Sequence, residues 1–157
     1  MARINWDESL ETGIYSIDSQ HMDLVGMCND FLDAVSSGKT EQAVNALVRR
    51  LREYCVQHFH DEEETMAEMG YPRLGEHQRE HRRLSQQVKE YQRDLYKKRT
   101  PQPLEVRDFL KDWLLGHILG MDMKIAEWLK EREAEQKESK VVIGEAGEGE
   151  SEGKEEA

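Results

Sequence analysis

The chain has 157 residues with 33 acidic and 22 basic side chains, which gives a formal net charge of −11 when histidine is neutral. This length suits one domain with a substantial hydrophobic core. The acidic balance and the lack of a dense basic patch exclude nucleic acid and anionic membrane surfaces from the expected partners. No apolar run approaches the roughly 18 residues that a bilayer span requires, so we expect no membrane insertion.

The first ten residues and the two cysteines bear on the cellular compartment. Residues 1–10 lack the continuous apolar stretch and the small-residue cleavage site of a signal peptide, which predicts a cytoplasmic protein. Cys28 and Cys55 lie far apart within apolar helical patterns and form no C-x-x-C pair. We therefore expect both to be reduced thiols that pack in the core.

Four amphipathic patterns follow one another along the chain. Apolar residues recur at three- and four-residue intervals over residues 18–36, 40–69, 77–95 and 104–129, and Thr40 is the predicted N-cap of the second pattern. The three prolines all fall where a pattern stops. Because short connections join four helices, the sequence predicts an all-α fold, an antiparallel up-down-up-down four-helix bundle.

Two segments of different character flank the predicted bundle of residues 18–133. Residues 1–17 precede any helical pattern but carry enough apolar side chains to form an ordered N-terminal arm that packs on the bundle. Residues 134–157 are rich in Glu, Gly, Ser and Lys, a composition that cannot offset the entropy of ordering. We expect a disordered acidic C-terminal tail that acts as a solubilising extension.

Ionisable side chains interrupt the apolar stripes of all four predicted helices. They are His21 in the first helix, His58 and Glu62 in the second, His77 and His81 in the third, and His117 in the fourth. Residues four apart project from one face of an α-helix, so each of the two spaced pairs can bind one metal ion or two adjacent ions. Asp122 lies five residues after His117, so the two either flank a site from opposite sides or are realigned by a π-bulge.

A single buried histidine is more often a hydrogen-bonded core residue than a metal ligand. A set of five histidines and two carboxylates on inward faces instead indicates a metal site, because without a metal many of these buried polar groups would be unpaired. His60 lies about 200° around the second helix from His58, so we expect His60, together with Glu63, on the solvated face.

The size of this ligand set indicates two metal ions, since seven ligands exceed the four that zinc takes and include no thiolate. If both carboxylates and one solvent oxygen bridge, and the histidines divide three and two, one ion keeps an open position. Imidazole with carboxylate suits iron, with manganese, cobalt and zinc as alternative occupants. A ligand set with only two carboxylates favours reversible two-electron binding of O2 over cleavage of its O–O bond.

Four motifs in order make the chain resemble the hemerythrins, specifically the single-domain bacteriohemerythrins. They are G-I-x-x-I-D-x-Q-H from Gly13, H-F-x-x-E-E from His58, H-x-x-x-H from His77 and W-L-x-x-H-I-x-x-x-D from Trp113. The resemblance implies a di-iron centre with an oxo or hydroxo bridge. In that centre His77, His81 and His117 bind one iron, His21 and His58 bind the iron with the open position, and Glu62 and Asp122 bridge the two ions.

The resemblance also implies an oxygen pocket lined by Phe59, Trp113, Leu114 and Ile118. It implies a monomeric carrier, not an enzyme, that binds O2 reversibly for storage, transport or delivery to an oxygen-consuming enzyme. Three alternatives stay open: a sensor of O2, redox state or NO, a di-iron oxidase or peroxidase, and an iron store, against which a closed set of seven ligands argues. The enzyme would need a positioned acid or base, and the inward stripes offer no spare ionisable residue.

Overall fold

The structure, a computed structural model, describes residues 3–148, apart from the side chains of residues 114–115 and 142–148. Over that range the fold is all-helical, as predicted, and has no β-strand. Its elements are a short 3-10 helix (Glu8–Leu10), α1 (Tyr15–Ser36), α2 (Thr40–Met69), α3 (Leu74–Tyr96), α4 (Pro103–Lys111), a π-helical segment (Asp112–Asp122) and α5 (Met123–Glu148). The helix α2 packs on both α1 and α3, which gives a helical bundle.

Local sequence signals explain where the helices begin and end. The helix α2 ends at Gly70, whose left-handed φ of 74° a glycine adopts without strain and whose N–H bonds to carbonyl groups of the last turn. Pro103 lies in the first turn of α4, where its missing N–H breaks no intrahelical bond. Thr40, predicted as the N-cap of α2, is instead the first residue of that helix, and Lys39 is the N-cap.

The predicted fourth helix is one continuous helical rod whose middle part is π-helical. The backbone stays right-handed helical at Asp112, where the π-helical segment begins, and at Met123, where α5 begins. In a π-helix the hydrogen bonds span five residues, so side chains five apart lie on the same face. Of the two arrangements considered for His117 and Asp122, the structure therefore has the realignment by π-helical geometry.

The N-terminal arm lies against α1. The Ile4 backbone N–H donates to Asn29 Oδ1 at 2.7 Å, and the Ile4 carbonyl accepts from Asn29 Nδ2 at 2.8 Å. Ile4 and Trp6 are half-buried against the larger of the two apolar clusters described below. The Asp18 carboxylate accepts the Thr12 backbone N–H at 2.8 Å, which satisfies a donor just before α1 begins.

Among the described side chains, two apolar clusters form the core, one at each side of a polar layer. The larger cluster includes Leu24, Leu51, Leu84, Phe109 and Trp113, and the smaller one consists of Met66, Tyr71 and Ile125. Along α2 the larger cluster reaches Cys55 and Phe59, and the smaller one begins at Met66. Of the buried polar residues of α2, Glu62 lies between Phe59 and Met66, and His58 directly precedes Phe59. The apolar clusters therefore seal this layer along the bundle axis.

Both cysteines are free and buried, as predicted. Burial raises the pKa of the Cys28 and Cys55 thiols to about 12, so neither supplies a thiolate near neutral pH. Within residues 3–148, no helix is long and apolar enough to cross a membrane.

The C-terminal part of the chain differs from the predicted boundary at residue 133, because α5 continues to Glu148. Residues 131–141 are all exposed, so this part of α5 adds nothing to the core. Residues 134–141 are mostly Ala, Glu, Gln and Lys, which have high helix propensity and favour a helix over this stretch. Residues 149–157 lie outside the described range, and their disorder stays a prediction.

Candidate metal centre

The seven predicted ligands are buried together between the two apolar clusters. Each is at most 2 % exposed: His21, His58, Glu62, His77, His81, His117 and Asp122. Ligand atoms of Glu62, Asp122 and three histidines (His77, His81 and His117) lie within 4.8 Å of one another. Ligand atoms of the same two carboxylates with His21 and His58 form a second such group. The two groups therefore share both carboxylates.

Glu62 directs one oxygen to each group of histidines. Its Oε1 lies 2.6 Å from His77 Nε2 and 3.3 Å from His81 Nε2. Its Oε2 lies 3.0 Å from His58 Nε2 and 3.6 Å from His21 Nε2. This is the placement of a carboxylate that spans two adjacent cation positions.

Asp122, which lies in the π-helical segment, also directs one carboxylate oxygen to each group of histidines. Its Oδ1 lies 2.9 Å from His77 Nε2 and 3.2 Å from His117 Nε2, whereas its Oδ2 lies 2.9 Å from His21 Nε2. On a regular α-helix His117 and Asp122 would point about 140° apart. The π-helical backbone is thus what allows both side chains to reach the same cluster.

These short distances do not satisfy the buried polar atoms. Both carboxylate oxygens of Glu62 and of Asp122 lack a hydrogen-bond partner, as do the Nε2 atoms of His21 and His77. The Nε2 atoms of His81 and His117 face each other at 3.2 Å. Each buried polar group without a hydrogen bond costs about 1–3 kcal/mol, so attraction between imidazoles and carboxylates leaves part of the cost of burying this cluster uncompensated. Cations between the converging nitrogen and oxygen atoms would satisfy them, and the residues therefore fit bound metal ions.

Gln20 orients one of these histidines and was missed in the sequence analysis. Its Oε1 accepts the His58 Nδ1–H at 2.6 Å, and its Nε2 donates to Asp61 Oδ2 at 2.8 Å. With Nδ1 protonated, His58 Nε2 keeps its lone pair for the cluster. The Tyr54 ring stacks on His58 with 4.9 Å between centroids, and its hydroxyl donates to the Gln20 carbonyl at 2.8 Å. The position of Gln20 directly before His21 was the available signal.

Replacing Gln20 with Leu should weaken metal binding about 10- to 100-fold, because His58 loses the acceptor that fixes its ring. A competitive titration with Co(II) and a chelator measures this change. Gln57→Leu is the matched control, since Gln57 donates to the same Asp61 carboxylate at 2.9 Å. Equal metal affinity in the Gln20→Leu and Gln57→Leu variants would contradict the role given to Gln20.

The structure corrects the prediction for Glu63. His60 is on the surface, as predicted, with 73 % of its side chain exposed. The Glu63 side chain is only 26 % exposed, and its Oε2 lies 3.6 Å from His81 Nδ1. Residue 63 is about 100° around α2 from Glu62, which turns it from the cluster toward the adjacent helix α3. Glu63 thus faces the outer nitrogen of a candidate ligand.

The charges in the cluster balance one another in the absence of metal. Burial by itself lowers the pKa of the His21 and His77 rings, but the contacts with Asp122 and Glu62 outweigh it and raise both pKa values to about 9. Burial would raise the pKa of the two carboxyls, yet the surrounding imidazoles hold both below their usual range. Near neutral pH two protonated rings thus face two carboxylates, and a bound metal ion must displace those protons.

The thermal stability of the chain without metal should fall as the pH rises from 6.5 to about 9. Because the folded-state pKa values of His21 and His77 lie above the ordinary value, their contribution is complete below pH 6.5 and is lost through about pH 9. The loss is on the order of a few kcal/mol, measurable as Tm by circular dichroism. His77→Gln should flatten this dependence and His60→Gln should not. A wild-type Tm that stays constant or rises over this range would contradict the assignment.

Three of the four predicted pocket residues are buried beside the histidines. Phe59 stacks on His81 with 3.9 Å between ring centroids, and Trp113 lies 5.8 Å from Phe59. Ile118 directly follows His117 and belongs to the same apolar cluster. The side chain of Leu114 lies outside the described part of the structure. An apolar wall therefore borders the cluster on this side.

A buried set of converging histidines and carboxylates in a helical bundle defines a metal-binding helical protein. Comparison with known families agrees with this class, since the family described as Hemerythrin HHE cation binding domain matches residues 12–129. The chain belongs to the hemerythrin family.

Individual relatives show the same similarity over most of their length. A bacteriohemerythrin of Stenotrophomonas maltophilia is 34 % identical over 130 residues, which cover 83 % of this chain and 84 % of that protein. A bacteriohemerythrin of Pseudomonas aeruginosa is 34 % identical over 122 residues, or 78 % of each chain. A hemerythrin-like protein of Naegleria gruberi is 30 % identical over 120 residues, which cover 76 % of this chain and 88 % of that protein.

Proposed function

We propose that the protein binds two iron ions in the buried cluster and carries O2 reversibly at one of them. The observation that carries this proposal is that Glu62 and Asp122 each present one oxygen to each histidine group. Two carboxylates shared in this way suit two adjacent cations. An iron pair, when bound, supplies the two electrons that reversible O2 binding requires.

The residues of the chain divide this work. His77, His81 and His117 would hold one ion, His21 and His58 would hold the other, and the two carboxylates would hold both. With only two histidines, the second ion would keep a position for O2. Phe59, Trp113 and Ile118 exclude water from that side, which protects the oxygenated centre from oxidation.

The surroundings of the cluster favour a carrier over an enzyme. Of the ionisable side chains outside the ligand set that contact its histidines, Glu63 faces the outer nitrogen of His81, and Tyr54 stacks on His58 while its hydroxyl donates to the Gln20 carbonyl. Burial raises the pKa of Tyr54 well above its ordinary value, so it is a poor proton donor near neutral pH. We assign the protein as a cytoplasmic, monomeric carrier that stores O2 or delivers it to an oxygen-consuming enzyme.

An oxygen electrode tests this function. Addition of the reduced, iron-loaded protein to aerated buffer should consume one O2 per two irons, and argon purging should return it. Catalytic loss of added peroxide or NO would instead indicate an enzyme. Irreversible uptake without turnover would indicate a redox sensor, and either result would contradict the proposed carrier function.

A further inference from the structure

A surface groove between α2 and α3 leads to the metal centre. Its volume is about 470 Å³, and His81 and Phe59 are among the residues that line it. Both are buried, and their rings stack on each other. Glu63, which faces His81 Nδ1, lines the same groove. One candidate ligand is thus reached from the surface through this opening.

The charge of the groove is opposite to that of the whole chain. Arg52, Arg82 and Lys89 line it, and Glu63 is the one carboxylate among its lining residues. The chain as a whole has a net charge of −11. Among the side chains that the structure describes, no carboxylate lies within 4.0 Å of these three cations. Three unpaired cations at one opening attract an acidic partner.

The metal cluster itself is closed to any macromolecule, since none of its seven residues is more than 2 % exposed. A carrier whose iron pair oxidises must nevertheless regain two electrons before it can bind O2 again. Those electrons have to enter where a ligand comes near the surface. His81 and the stacked Phe59 ring at the groove provide such a place.

We propose that this groove is the docking site of an acidic one-electron donor protein that re-reduces the oxidised iron pair. The inference rests on the proposed function. Two donor molecules each lose one electron in successive encounters, and two ferric ions become two ferrous ions. Such redox encounters use small, charge-steered interfaces below about 1,200 Å², which a single groove with a cationic rim can supply.

Reduced plant-type [2Fe–2S] ferredoxin, an acidic one-electron donor, is the probe for this site. The charge-reversal variant is Arg52→Glu/Arg82→Glu/Lys89→Glu, and the matched control is Arg73→Glu/Lys97→Glu/Lys124→Glu, which changes net charge equally outside the groove. Ferredoxin affinity is measured by surface plasmon resonance on iron-loaded protein, and reduction is followed by stopped-flow absorbance. Photoreduction by uncharged deazariboflavin shows whether each variant keeps a reducible centre.

The groove variant should lose about tenfold or more in both ferredoxin affinity and reduction rate at low salt, while the control stays within about twofold of wild type. Deazariboflavin should reduce all three proteins equally. Equal ferredoxin binding by the two triple variants, or occupation of the groove by inorganic phosphate with no ferredoxin binding, would overturn the inference. Failure of reversible O2 uptake with groove-dependent ferredoxin binding intact would overturn the proposed function and leave the docking site standing.

Discussion

The Glu62→Gln variant should bind little or no iron and should gain no thermal stability when Fe(II) is added anaerobically. Glu62 contacts four of the five buried histidines and belongs to both groups of ligand atoms, so its loss affects both metal positions. In the wild-type protein, saturating metal should raise Tm by roughly 10 °C through preferential binding to the folded state. Iron per chain and the Tm difference with and without metal measure the effect.

Glu63→Gln is the matched control, because it makes the same chemical change at the next residue. Glu63 approaches only the outer nitrogen of His81 and lies outside both ligand groups. This variant should keep two irons per chain and most of the stabilisation by metal. Equal iron contents in the Glu62→Gln and Glu63→Gln variants would contradict the assignment of Glu62 as the shared ligand.

The Ile118→Thr variant should keep its iron but oxidise roughly tenfold faster once oxygenated. Ile118 is 1 % exposed and belongs to the apolar cluster that contains Phe59 and Trp113. A hydroxyl at this position can hydrogen-bond a water molecule inside an otherwise dry wall, and one such bond is worth about 1 kcal/mol. The decay of the oxygenated absorption band at constant temperature gives the rate.

Ile118→Val is the control for this variant, since it removes a methylene group and adds no polar atom. Its oxygenated form should persist almost as long as that of the wild type. Equal decay rates in the Thr and Val variants would mean that polarity at residue 118 does not matter. Phe59 and Trp113 would then remain as the side chains that exclude water.

Helical periodicity predicted the positions of most candidate ligands because the spacing of an α-helix is regular. His58 and Glu62, four residues apart, were placed correctly on one inward face of α2. The spacing of His117 and Asp122 allowed two arrangements, since no local residue type specifies a π-helix. Only the backbone between Asp112 and Asp122 distinguishes them.

Contacts between helices were harder to predict. Glu63 was predicted to lie on the solvated face, and Gln20 was given no role. Glu63 of α2 lies against His81 of α3, and Gln20 of α1 lies against His58 of α2. The groove between α2 and α3 combines residues from two helices, and no single stretch of sequence contains it. The continuation of α5 past residue 133 was not predicted, for another reason. High helix propensity predicts a helix there, whereas low apolar content predicts disorder.

The central claim is that the buried cluster holds an iron pair that binds O2 reversibly. The most direct test is an optical titration of the reduced, iron-loaded protein through repeated cycles of air and vacuum, with iron counted on the same sample. The account predicts two irons per chain and an absorption band that appears in air and disappears under vacuum over several cycles. Two irons that oxidise once and stay oxidised, or a band without two irons per chain, would contradict it.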